Sequence, residues 1–216
     1  NLSGIKLWSL ANVRGNHNDA ADVGDLNGDG KLEIAIAASG DGILLNAKGK
    51  VLWNKPLRHA QHAIIGSFLW GQPLQKQAVF VARREDGVVY AYDYSGRQLF
   101  KTKPQGRITM ASTIDGWTGV AGESLILLFR RELGPPVLLD GSGREVASFP
   151  VPIAPRVKHF VQHFDLEGDG REEIFINTTH ELWVYHNAAE LTKPVTVKES
   201  LPNARIYNAT FYIGMQ

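Results

Sequence analysis

The chain alternates short apolar runs with tight polar turns, and the apolar positions nowhere keep a convincing helical period. "LEIAIAA" (32–38) and "EEIFINT" (172–178) alternate and are β-branched, which is how strands read. "DGILLNA" (41–47), "DGVVYAYDYS" (86–95) and "PPVLLDGS" (135–142) are apolar runs closed by turn residues. Each is followed by a glycine and a further apolar run ending in an aromatic, so "LLNAKGKVLW" and "YAYDYSGRQLF" read as hairpins. The pattern predicts an all-β chain.

The second halves of these hairpins repeat. "GIKLW", "GKVLW", "GRQLF" and "GREVASF" begin at Gly4, Gly49, Gly96 and Gly143, which are 45, 47 and 47 residues apart. A period near 45 built only of short strands is the length of a four-stranded propeller blade. The expected architecture is therefore a β-propeller of about four to five four-stranded blades. Its units run approximately over 9–53, 54–100, 101–149 and 150–190, with 191–216 a Lys-rich loop and a partial strand pair. "GIKLW" reads as a strand of its own, so the chain starts inside a hairpin, as a processed or truncated piece would. The expected parent is a larger ring of about seven or eight blades. A two-sheet sandwich explains the spacing of whole motifs less well.

One short acidic turn occurs twice, 140 residues apart: "DLNGDGKLE" (25–33) and "DLEGDGREE" (165–173). That separation is close to three periods, so the loops are equivalent turns in the first and fourth units. Asp25, Asn27, Asp29 and Glu33, and likewise Asp165, Glu167, Asp169 and Glu173, place oxygen atoms at positions 1, 3, 5 and 9. Alternating oxygens curling round a glycine suit a hard cation, as in the first part of an EF-hand loop. Position 12 holds Ile36 or Ile176 and no helix follows, so the expectation is two structural Ca2+ sites, each clipping a β-hairpin. A metal-free Asn-Gly or Asp-Gly turn is the simpler alternative.

Composition narrows the classes. A formal net charge of +1 argues against electrostatic capture of nucleic acid. Cysteine is absent, which excludes disulfides and thiolate metal sites. No run of about 18 apolar residues suggests a membrane span. Calcium loops favour an extracellular or periplasmic location.

Candidate binding chemistry lies at the start of each unit's first strand. His17 precedes Asp25 by eight residues, His59 precedes Ser67 by eight, and Arg107 precedes Asp115 by eight. His62 is close to His59, and Arg156, Lys158 and His159 precede Asp165 by nine, seven and six. If innermost strands converge on one axis, these groups form a cationic ring suited to an anionic ligand. The alternative is that such histidines cap strand ends, the reading preferred for His163, His180 and His186. Trp53, Phe100 and Trp183 read as packing between blades. Trp70 and Trp117 read as apolar substitutes for metal in the second and third units, with an exposed sugar-stacking role as the alternative.

"DVGDLNGDGKLEIAIAA" and "HFDLEGDGREEIFINT" resemble calcium-binding FG-GAP propeller repeats. "RHAQHAIIGSF", with "GNHNDAADVGDLNGDG", is similar to propeller-fold polysaccharide lyases of the rhamnogalacturonan and rhamnose-glucuronate type. The second resemblance implies β-elimination on an anionic, uronate-containing polysaccharide. A cation neutralises the carboxylate while histidines act as base and acid. It would make His17, His59 and His62 catalytic, and Arg107, Lys158 and His159 substrate-binding. The competing expectation is a non-catalytic extracellular FG-GAP module that binds glycan or protein. A quinone-cofactor propeller ranks behind both, and glycoside hydrolysis lacks an evident pair of carboxylates.

Overall fold

The computed structural model describes residues 4–10, 17–71, 75–85, 87–104, 108, 110–129, 134–150, 159–178 and 180–189. The expected strand pair within 191–216 lies outside them, as do Arg107, Arg156 and Lys158. Four antiparallel sheets follow one another along the chain. The first comprises β1 (Asn18–Gly24), β2 (Glu33–Ala38), β3 (Asp41–Asn46) and β4 (Val51–Pro56). The second comprises β5 (Ala60–Gly66), β6 (Gln77–Ala82), β7 (Val88–Tyr92) and β8 (Gln98–Thr102). The third comprises β9 (Met110–Asp115), β10 (Ser124–Phe129), β11 (Val137–Leu139) and β12 (Glu145–Ser148). The fourth comprises β13 (Phe160–Phe164), β14 (Glu173–Asn177) and β15 (Leu182–Tyr185). Each is a meander whose neighbours in sequence are neighbours in the sheet. The only helical element among the described residues is a 3-10 turn, Arg83–Glu85.

Packing between sheets explains which strands alternate. β6 (QAVFVA) and β10 (SLILLF) are buried along their whole length because a sheet covers each face. Covered on both sides, a strand loses its polar positions and reads as a continuous apolar run. The outer strands β4, β8 and β12 keep exposed positions. Between the first two sheets, small residues (Ala35, Ala37, Ala60, Ala63) let the backbones approach, and Phe80, Tyr90 and Trp53 fill the wider part. Separate apolar layers join the second sheet to the third and the third to the fourth. The innermost strands β1, β5 and β9 pack in sequence, whereas the fourth sheet does not pack back on the first. The described residues therefore form an arc of propeller blades and not a closed ring.

The repeated glycine and aromatic have a common function. Residues 4–10 are irregular and not the expected strand, but Trp8 still lies over the β3–β4 turn. A Cβ on Gly49 would be 2.7 Å from its ring, and its indole N–H donates to Ala47 O at 3.0 Å. Trp53 repeats this on the next turn, against Gly96 and with its N–H donating to Tyr94 O at 3.0 Å. Phe100 covers Gly143 of the third hairpin. The turn glycines have positive φ, near 80°, so they supply both the conformation and the gap for a ring. Side chains also tie inner strands together: Ile65 N–H donates to Asp22, and Thr113 Oγ1 donates to Ile65 O. No helix among the described residues is long and apolar enough to cross a membrane.

Candidate functional site on the inner strands

The two acidic loops are wound alike. Asp25 accepts the backbone N–H groups of Gly28, Asp29 and Gly30, and Asn27 and Asp29 accept those two residues further on. Asp165 accepts from Gly168, Asp169 and Gly170 in the same way. Position 9 is different. Glu33 is buried and accepts the Leu26 N–H, and Glu173 accepts those of Leu166 and Glu167. Gln77, first residue of β6 in a sheet with no acidic loop, accepts the N–H groups of Phe68 and Leu69. This position thus holds the loop backbone whether or not a metal motif is present. Burial, reinforced by the charges of Asp29 and Asp25, pushes the Glu33 carboxyl above its ordinary range. Converging acidic oxygens of this kind fit a hard dication, which would relieve their repulsion.

In the turn of the second sheet, which lacks the acidic motif, Phe68 is the buried aromatic, while Trp70, expected to fill that place, is exposed. Trp117 does pack inward, edge-on to Phe149 at 5.5 Å. In the fourth sheet Glu167 is half exposed and lies 3.8 Å from His186.

At the start of the inner strands, His17 and His59 come together, their ring centroids 5.2 Å apart. Asp19 stands between them, with Oδ2 at 3.1 Å from His17 Nε2 and 3.6 Å from His59 Nε2. Asp19 sits at an irregularity in the β1–β2 register, and Gln61 sits at the matching irregularity between β5 and β6. Bulges re-aim side chains. Here Gln61 Nε2 donates to Asp19 Oδ1 at 2.9 Å across the two sheets. Arg83 donates to Gln61 Oε1 at 3.3 Å, which fixes which end of the amide faces Asp19. His59 has φ of 60°, the only non-glycine positive φ among the described residues, and its carbonyl accepts the Arg83 N–H.

The other expected site residues are elsewhere. His62 follows Gln61 in β5 and is buried, as is His159 just before β13. Arg107 and Lys158 lie outside the described residues. His163 is held between Ser112 Oγ at 2.5 Å and Glu172 Oε2 at 3.0 Å, a tie between third and fourth sheets. Asp19, Gln61 and Arg83 were not singled out in the sequence, although "HND" and "HAQ" put a polar partner two residues after each histidine.

Residues 17–52 match the FG-GAP repeat family, a span that runs from His17 through the first acidic loop into β4. No curated protein matches the chain. Among solved structures it is similar to BBS1N in complex with ARL6DN, in a mercury-soaked crystal, at 16% identity and a TM-score of 0.57. That match covers 83% of this chain and 57% of the other. A lead-soaked crystal of the same complex gives 15% identity and a TM-score of 0.55, over 82% of this chain and 58% of that one. The Vibrio cholerae (V. cholerae) biofilm matrix protein Bap1 is 16% identical with a TM-score of 0.48, over 82% of this chain and 29% of its own. The chain is thus an all-β, propeller-fold protein carrying an FG-GAP repeat. It spans a little over half the length of the BBS1N chain it matches. Neither the matched family nor these structures is described as a polysaccharide lyase.

Proposed function

We propose that the chain is a non-catalytic FG-GAP propeller module that binds a macromolecular partner, with protein favoured over glycan. Ca2+ at the two acidic loops stiffens the scaffold, and the module works outside the cell or in the periplasm. The observation that carries this reading is the enclosure of the imidazoles. His59, His62 and His159 are 9%, 2% and 1% exposed, so of these four imidazoles His17 alone is open, with 44% of its side chain exposed. β-elimination needs a base and an acid that both reach the substrate. The similar BBS1N structure, itself a complex with another protein, supports a protein partner by analogy.

The test is to incubate the purified protein with rhamnogalacturonan, gum arabic and ulvan, and to follow unsaturated-uronate absorbance with and without chelator. No rise is expected. A rise that disappears in His17→Ala would replace this reading with uronate elimination by the same face.

A further inference from the structure

We infer that His17, Asp19 and His59 form a binding site for one zinc-like divalent cation, separate in place and chemistry from the acidic loops. Three donors of the right kind converge: their ligand atoms all lie within 4.8 Å of one another. Tetrahedral zinc with bonds of about 2.0–2.1 Å places its donors about 3.4 Å apart. The distances from Asp19 Oδ2 to the two Nε2 atoms, 3.1 and 3.6 Å, bracket that value. Two imidazoles and one carboxylate suit zinc and the later first-row metals, whereas calcium prefers oxygen alone.

The surroundings are those of a built site. Ligating carboxylates are commonly hydrogen-bonded through their other oxygen, which orients them. Gln61 holds Asp19 Oδ1 in that way, Arg83 holds Gln61, and Oδ2 lies near both imidazoles. His59 Nε2 is also 3.2 Å from Gln61 Oε1, so binding at Nε2 requires that N–H···O contact to be given up and the other imidazole tautomer adopted. Asp19 and His59 are almost enclosed, with 4% and 10% of their side chains exposed, while 44% of His17 is open. An ion would enter past His17, and three protein ligands would leave a fourth position for water or a partner's side chain. Backbone strain marks the same residue: His59 has a left-handed φ that costs a non-glycine residue about 1–3 kcal/mol. Because Asp19 lies in β1 with His17 just before it, and His59 just precedes β5, the cation joins two blades at their inner edge.

The experiment uses chelator-treated protein re-equilibrated with excess Ca2+, then titrated with Zn2+ by calorimetry and with Co2+ by visible absorption. One equivalent of Zn2+ is expected, together with a tetrahedral Co2+ spectrum. His59→Gly deletes the ligand and suits the left-handed backbone, so relief of the positive φ offsets part of the side-chain contacts that are lost. This variant and Asp19→Asn should each weaken Zn2+ at least about tenfold, and His180→Ala, at an exposed histidine outside the cluster, should leave Zn2+ binding unchanged. Absence of a stoichiometric equivalent, or unaltered binding in both His59→Gly and Asp19→Asn, overturns the inference.

Discussion

The acidic loops at 25–33 and 165–173 share a motif and a backbone winding, but they differ in what lies against them. In the first loop Leu26 is buried in the layer against the second sheet, and its carbonyl accepts the Lys76 N–H. In the fourth, the equivalent Leu166 is 56% exposed, and the contacts run back toward the third sheet. Glu172 accepts the Asp115 N–H, and a side chain at Gly116 would meet Gly170 O. Their electrostatics also differ. Lys31 only grazes Asp29, at 3.5 Å, whereas Arg171 grips Asp169 at 2.6 Å and donates on to Asn187 O and Ala189 O. One sequence motif therefore makes two loops with different surroundings for the proposed Ca2+. In one, Asp29 is held by a backbone N–H and a distant ammonium; in the other, a close guanidinium would compete with an ion for Asp169.

The largest effect expected from this contrast concerns packing. Leu26→Ala should cost about 2–5 kcal/mol in urea unfolding, and Leu166→Ala no more than about 0.5 kcal/mol. Equal costs would mean that both loops are packed alike. Next comes calcium: a loop held at about 100 times its Kd gains about 2.7 kcal/mol. Thermal melts with and without chelator should show a calcium-dependent rise, and Asp25→Ala should remove more of it than Asp165→Ala. A melting curve indifferent to calcium in the unaltered protein would refute structural metal in either loop. Third, Arg171→Met in an Asp25→Ala background should tighten calcium at the remaining loop by about fivefold, the scale of one partly exposed ion pair. Isothermal titration reads that change directly.

The smallest effect is in acid. Hydrogen bonding from Arg171, aided by its charge, holds the Asp169 carboxyl below its ordinary 3.8. A depressed carboxyl stabilises the folded state above its unfolded pKa, and that contribution is lost as pH falls through the folded value. Metal-free protein should therefore lose stability below about pH 4, and Arg171→Met should lose less. Chemical denaturation at several acid pH values measures the difference.

These contrasts also show what the sequence makes legible. The 47-residue recurrence of Gly49, Gly96 and Gly143 reports the hairpins because each glycine must accept a neighbouring ring, a requirement renewed in every unit. The equal offsets of His17 and His59 ahead of their turns report their meeting because both stand at the start of an inner strand. Asp19 and Gln61 were hidden because a bulge interrupts the alternation from which a side chain's face is read. Glu33 reads as a ligand because the loop motif includes its position, and its second role, holding the Leu26 N–H, is not legible there. Only Gln77, in a loop without that motif, shows that the same position also anchors backbone. Trp70 failed as a filler because size alone does not say which aromatic of "SFLW" turns inward, and Phe68 does.

The ring over each hairpin glycine carries an evolutionary consequence. Trp53 grips the hairpin that follows its own, while Gly49 receives Trp8 from the segment before. A stretch of DNA encoding one such module carries both a hook and an eye. Tandem duplication would then yield offspring that fasten to their parents at once, without any compensating change.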